Sequence, residues 1–404
     1  MTERLYYDDP LLTEFDAVVV CTKAHGDGYW IALDRSAFYP TSGGQPHDNG
    51  VLRTDEAACQ VTDVIVDDDG EVWHDTTAAL LPGTRVHGVI DWERRRDHME
   101  QHGGEHMIAG AIWTLMKGVT IGLHCGAEDA TIDVTLPDGR TRMTEQEIAA
   151  IEALVNREIR EDAKVRCWFP TEEELPGIPL RKPPAVKEHV RVVAYGDYEY
   201  CACGGTHPPS AGWIGCVKIL SVLPERGKAR VRFVCGERAF RVFAVSYAQC
   251  RLVSDALSCP ADRLDLGLAA VEQKLAAQAD RIRDLSAALC HAVEREAEQA
   301  VASFGGTEMM VMRFPEVEHG LLAQAASEAM EKHPGRVILC LSAQRQFVLA
   351  AVNAPISMAA LAKAAGLRGG GKPDFAQGKV PDDIADAAGR IGALLEAGQQ
   401  IQGR

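Results

Sequence analysis

Residues 91–106 read Asp91-Trp92-Glu93-Arg94-Arg95-Arg96-Asp97-His98-Met99-Glu100-Gln101-His102-Gly103-Gly104-Glu105-His106. The run predicts a helix that opens near Asp91 and continues to about Met116. His102 and His106 are four positions apart, so on a helix both imidazoles lie on one face, one turn from each other. About a hundred residues later, Cys203-Gly204-Gly205-Thr206-His207 offers a thiolate and a third imidazole, with glycines that permit tight backbone turns. Three nitrogens and one sulfur form a tetrahedral set that suits zinc. Four protein ligands fill a tetrahedral ion, whereas catalysis needs an open position or an expandable shell. The ligand pattern alone therefore leaves a hydrolase and a structural zinc domain both open.

Outward from this pair, residues 1–90 read as short strands joined by turns. Ala17–Thr22, Trp30–Asp34, Val61–Val66 and Glu71–His74 are strand-like, with Asp67-Asp68-Asp69-Gly70 as a turn, and their spacing predicts a small β-barrel. Residues 91–245 alternate helices and antiparallel-type strands. Thr144-Glu145-Gln146-Glu147 is a capping-box start for a helix to about Ala163, and strands are expected near Ala130–Leu136, Val190–Ala194 and Lys228–Val234. This is an α+β zinc-binding domain. From Leu264 the apolar positions Leu264, Leu268, Val271, Leu275, Ile282, Leu285 and Leu289 step by four and three, with Gln278 as a polar interruption. That heptad seam predicts a coiled-coil-like helical linker over 246–303. Residues 304–404 read as a small α/β domain with buried-type strands at Glu308–Phe314, Arg336–Leu341 and Gln346–Ala351 and a helix near Leu321–Lys332. A glycine-rich loop, Gly369–Gly378, leads to a last helix.

The bulk properties narrow the classes further. At 404 residues the chain is long enough for about two to three domains, and 46% hydrophobic residues supply real cores. No apolar run is long enough to span a bilayer, and the N-terminus lacks the basic and apolar regions of a signal peptide, which favours the cytoplasm. The 12 cysteines are scattered, as expected of reduced thiols; Cys201 and Cys203 alone lie near a histidine at ligand spacing. A net charge of −16 argues against a broadly basic nucleic-acid coat. Local basic patches remain: Arg181, Lys182, Lys187 and Arg191; Arg226, Lys228, Arg230 and Arg232; Arg368, Lys372 and Lys379.

One competing pattern exists. His102-x-x-Glu105-His106 matches the inverted zincin signature of some metallopeptidases, with the Glu as general base. That reading needs a downstream acidic ligand, gives Cys203 and His207 no role, and leaves Phe38-Tyr39-Pro40-Thr41-Ser42-Gly43-Gly44-Gln45-Pro46-His47-Asp48 unexplained.

Taken together, the motifs resemble the alanyl-tRNA editing family, free-standing relatives of the editing domain of alanyl-tRNA synthetase. Ala37–Pro40 with Ser42-Gly43-Gly44-Gln45 and Asp48-x-Gly50 looks like its barrel motif. Asp91–Arg95 running into His102-x-x-x-His106 looks like its first zinc half, and Cys203–His207, with Gly212, Ile214-Gly215 and Lys218-Ile219, like its second. Gly369-Gly370-Gly371-Lys372-Pro373-Asp374-Phe375-Ala376-Gln377 is similar to the motif of the DHHA1 domain. The resemblance fits the long free-standing form, with no aminoacylation module. Where relatives carry Thr-Ala or Ser-Gly after the first helix histidine, this chain has Gly103-Gly104, which would allow a substrate or the barrel to approach closely.

The resemblance implies an ATP-independent hydrolase that removes serine or glycine esterified in error to alanine tRNA. It implies Zn2+ on His102, His106, Cys203 and His207. Gln45 is the candidate to position water or substrate, with Thr41, Ser42, Gly43, Gly44 and Thr206 around the substrate. Arg368, Gly369, Gly370, Gly371 and Lys372 are candidates for tRNA contact, and a homodimer through the helical linker and C-terminal domain is expected. The remaining alternative is a zinc-containing RNA-binding protein without catalysis.

Overall fold

The computed structural model describes residues 1–353 and 356–398. The chain divides into two compact units, Met1–Arg251 and Leu252–Arg404.

The first unit opens with the barrel. Strands β1 (Glu14–His25), β2 (Gly28–Leu33), β3 (Gly50–Arg53), β4 (Ala58–Val66), β5 (Val72–Thr76) and β6 (Arg85–Ile90) close in the order β1-β2-β5-β4-β3-β6. Alternation along them sends Val19, Ile31, Leu33, Leu52, Val61, Val64, Val72 and Val86 into one core. The strands expected from the sequence all belong to this barrel.

Helix α1 (Trp92–Met116) follows directly. The Asp91 side chain caps it, accepting from the Arg94 amide at 3.2 Å. Every residue from His98 to Ile112 is buried, because elements pack around the helix on all sides. Beside it lie β7 (Val119–Cys125), β8 (Ala130–Thr135) and α2 (Glu145–Glu161), the last opened by the expected Thr144–Glu147 capping box. Next come β9 (Val165–Trp168), β10 (Val192–Tyr195), β11 (Glu199–Ala202), β12 (Val217–Glu225), β13 (Lys228–Cys235) and α3 (Gly236–Leu257). Two antiparallel sheets, β12-β13-β8-β7 and β9-β10-β11, contribute to a core with α1 and α2. The expected boundary between 245 and 246 falls inside α3, a helix that the sequence reading did not separate from its surroundings.

The second unit begins with α4 (Leu264–Glu298), which contains the heptad seam. Leu268, Val271, Leu275, Ile282 and Leu285 are exposed along it. Strands β14 (Ala302–Phe304), β15 (Thr307–Phe314), β16 (Val337–Ser342), β17 (Gln346–Ala350), β18 (Arg368–Lys372) and β19 (Phe375–Lys379) form one sheet in the order β14-β15-β16-β17-β19-β18. Only β15 and β16 pair in parallel, joined through α5 (His319–Lys332). Cys290, Val293 and Ala297 of α4 pack with α5 on one face of the sheet. Helices α6 (Met358–Ala364) and α7 (Ala387–Glu396) cover the other. The glycine-rich stretch is not a loop. Gly369–Gly371 lie in edge strand β18, paired with β19, and a Cβ on Gly369 or Gly371 would strike the backbone of β19. The expected C-terminal domain extends to 404, of which 399–404 lie outside the described residues. Among the described residues, no helix is long and apolar enough to cross a membrane.

Candidate metal centre

The quartet is assembled within the first unit. His102 and His106 project from α1, while Cys203 and His207 come from the turn after β11, and one donor atom from each lies within 4.8 Å of all the others. Cys203 Sγ is 3.3 Å from His102 Nε2 and 3.4 Å from His207 Nε2. Donors around a tetrahedral zinc stand roughly 3.3–3.6 Å apart, given metal–nitrogen and metal–sulfur bonds of about 2.0 and 2.3 Å. The residues present therefore fit such an ion in donor type and in spacing.

Their electrostatics match. Burial pushes the His102 ring down to about 4, and His106 and His207 well below the ordinary histidine range, so all three are neutral donors. Burial raises the Cys203 thiol to about 12, against the Gly205 amide that donates to its sulfur at 3.4 Å. Metal coordination deprotonates a thiol, so an ion held here would keep Cys203 as the thiolate. Nδ1 of His106 is buried with no hydrogen-bond partner.

The surrounding residues set tautomers. Gln45 Oε1 lies 2.8 Å from His102 Nδ1 and accepts from the Thr206 amide at 3.2 Å, and Gln45 Nε2 donates to Thr206 Oγ1 at 2.8 Å. Tyr195 Oη is 3.0 Å from His207 Nδ1. In both histidines the far nitrogen is engaged, which leaves Nε2 free for an ion. Gln45 is fully buried with both ends of its amide in use, so it holds His102 and Thr206 in place. Gly205 must be glycine: a Cβ there would collide with the His102 ring.

The barrel delivers Gln45 through a tight turn. Ser42 and Gln45 exchange backbone hydrogen bonds of 3.1 and 3.0 Å, and Gly43 and Gly44 take φ of 59° and 87°. A side chain on Gly44 would meet the Leu123 backbone of β7. Thr41 and Ser42 are exposed on this turn, and the Thr41 hydroxyl accepts from the His47 amide at 3.1 Å. Below the turn, Asp48 is buried against Arg95 of α1, which also donates to the Pro10 and Ala37 carbonyls.

The glycines of α1 serve packing. Side chains at Gly103 and Gly104 would meet Tyr195 with Ile214, and Cys235 with Val217. The close approach is thus to the sheets and the loop behind α1. Cys201 is not in the quartet. It lies with His106 and Glu199 in a neighbouring buried group, where Arg181 donates to Glu199 at 2.8 Å. Glu105 is buried beside this group, its carboxyl raised by burial. The first basic patch is largely internal, since Arg181 and Arg191 are engaged below the surface. In the second, Arg230 and Arg232 pair with Asp133 and Asp129 of the adjacent strand region. Arg368, Lys372 and Lys379 are exposed on the β18–β19 hairpin, with no ion pair among the described residues.

The sequence did not single out Arg191 and Tyr195 as supports, and it set Thr206 against substrate, whereas Thr206 is fully buried and bonded to Gln45. Arg191 donates to the carbonyls of Cys203 and Gly205 at 3.1 and 2.8 Å and fixes the ligand turn.

Comparison with known proteins adds to this geometry. The family described as tRNA synthetases class II (A) matches residues 5–94, which hold the barrel. The threonyl and alanyl tRNA synthetase second additional domain matches residues 190–231, which hold the Cys203–His207 turn. The alanine–tRNA ligase of Pyrococcus furiosus is 34% identical over 398 residues, covering 94% of this chain and 42% of that protein. The alanyl-tRNA editing protein AlaX-L of Pyrococcus horikoshii is 35% identical over 246 residues, covering 59% of each chain. Among solved structures, the C-Ala domain of Aquifex aeolicus alanyl-tRNA synthetase matches 24% of this chain and 97% of its own, at 23% identity and a TM-score of 0.22. The chain spans less than half the length of the ligases it matches. Residues 5–94 and 190–231 are thus similar to segments of class II tRNA synthetases and of the threonyl and alanyl enzymes' second additional domain.

Proposed function

We propose that this chain is a zinc-dependent aminoacyl-tRNA hydrolase that removes serine or glycine from mischarged alanine tRNA, as the long free-standing editors do. The observation that carries the reading is the Gln45–His102–Thr206 network. It joins the barrel, the helix and the ligand turn at a site with three nitrogen donors and one sulfur donor, in a chain similar to an alanyl-tRNA editing protein.

Zinc, when bound, orients the ester and polarises its carbonyl. The protein's residues do the rest. His102, His106 and His207 are held neutral and ready to donate. Cys203 is the one residue of the quartet that is not fully buried, its sulfur facing inward, and substrate approaches on its side. An aminoacyl ester is already activated, and water suffices as nucleophile. Gln45 acts through His102, while the exposed Thr41–Gly44 turn and Thr206 shape the space for the amino acid, which must reject alanine. The second unit is a DHHA1-like domain whose β18–β19 hairpin contacts tRNA phosphate through Arg368, Lys372 and backbone amides, and two copies associate through the α4 seam.

The test is deacylation of seryl-, glycyl- and alanyl-tRNA with and without a chelator. Seryl or glycyl ester should be hydrolysed, alanyl ester spared, and activity lost on chelation. No hydrolysis with zinc present overturns the reading. Cys203→Ala distinguishes a binding protein, because an enzyme loses hydrolysis while keeping its tRNA affinity.

A further inference from the structure

Beyond the end of β9 lies a cleft that the proposed chemistry has not used. It has a volume of about 320 Å³, with an apolar wall of Phe169, Leu175 and Val190 and a rim that includes Glu172, Lys187 and Glu188. Phe169, the residue that follows β9, is a large aromatic that stays 50% exposed.

A continuous series of contacts joins this cleft to the ligand turn. The Phe169 ring packs edge-on against Tyr7 at 5.7 Å between centroids. The Arg191 guanidinium lies 5.1 Å from the Tyr7 centroid and donates to the Cys203 and Gly205 carbonyls. A Cβ at exposed Gly204 would stand 3.5 Å from the Tyr7 hydroxyl. Two buried polar groups here are unpartnered: Nη2 of Arg191, a residue 5% exposed, and the Tyr6 hydroxyl. A buried donor left unsatisfied is costly, and the Arg191 guanidinium is joined to the cleft wall through the Tyr7 ring.

We infer that this cleft receives the terminal adenine base of the substrate nucleic acid, stacked on Phe169, while the esterified ribose lies toward Cys203. The inference rests on the proposed deacylase reading. The charge of the cleft selects the base over a phosphate: Glu172 and Glu188 offset Lys187, whereas an anion site would be cationic. A flat aromatic ring with polar edges suits an aromatic wall and a mixed rim, and stacking on such walls is how single-stranded nucleic acid is commonly held.

The test uses the full-length zinc-loaded protein and two single-stranded RNA oligonucleotides, one ending in adenosine and one whose terminal ribose lacks its base. The intact RNA should bind the wild type about tenfold more tightly. Phe169→Ala, at an exposed site, should remove that preference and Phe169→Trp should keep it. Equal affinities for the two RNAs in the wild type, including no binding of either, overturn the inference, as does a preference that survives in Phe169→Ala. Ester hydrolysis is measured separately. A Phe169-dependent preference without hydrolysis would leave the cleft standing and remove the deacylase reading, whereas hydrolysis with no base preference would do the reverse.

Discussion

Gln45 and His102 meet at 2.8 Å although they come from a barrel turn and a helix, and the contact leaves His102 with Nε2 facing the other ligands. Removing the amide frees the ring to rotate and to change tautomer. Gln45→Ala should weaken metal affinity about 10–100-fold with the fold retained. Chelator competition against a zinc indicator measures it. Unchanged affinity would remove Gln45 from the support of the centre.

Gly104 faces fully buried Cys235 across α1. Gly104→Ala should gain ~1 kcal/mol of helix propensity and lose about 1–3 kcal/mol by overpacking, a net destabilisation. Cys235→Ala opens the space. Denaturant unfolding of the double variant should therefore recover part of the loss, and strict additivity would contradict the packing role.

Asp48 is fully buried and answers Arg95. Asp48→Asn leaves a guanidinium uncompensated inside the protein, which costs about 3–5 kcal/mol. The expected result is a large fall in the unfolding midpoint, with the Asp48→Asn, Arg95→Met double variant less affected than the sum of the singles.

His74 lies in the barrel core, 2.7 Å from Ser36 Oγ and 2.9 Å from the Ile31 carbonyl, and burial lowers it to about 4. Its folded pKa is below the ordinary value of about 6.5, so its contribution is complete above that value and is lost as pH falls toward 4. The unfolded chain takes up the proton first. Unfolding free energy should drop by a few kcal/mol more in the wild type than in His74→Gln between pH 7 and pH 4. Parallel curves would show that His74 does not titrate this way.

The β18–β19 hairpin places Arg368 opposite Lys379, with Lys372 at its tip. If it binds phosphate, replacing all three with Ala should reduce tRNA affinity and flatten its dependence on salt by about two to three units in the logarithmic slope. A filter-binding salt series checks this, and an unchanged slope would place tRNA contact elsewhere.

What the sequence made legible follows from the range of each interaction. The i, i+4 histidines and the Cys-x-x-x-His turn are local patterns, and so are the barrel strands and the Thr144 capping box. Barrel closure depends on registers between distant strands. The supports Arg191, Tyr195 and Thr206 act across more than a hundred residues or through turns whose shape no short window encodes. Gly369–Gly371 read as a loop because glycine ordinarily interrupts structure, yet a close edge pair can require its missing side chain. Gly103 and Gly104 carried the right signal, close approach, but not the identity of what approaches.

The Ser42–Gln45 turn has a consequence for how such a protein can be cut and joined. Its backbone fits against β7, its amide orients a ligand carried by α1, and Asp48 anchors Arg95 just beyond it. The first ninety residues are thus built into the candidate metal centre and cannot be exchanged as an independent cassette. A chimera that imports a foreign barrel must import matching partners at positions 95, 102, 123 and 206, so recombination between related proteins is tolerated only where those positions travel together.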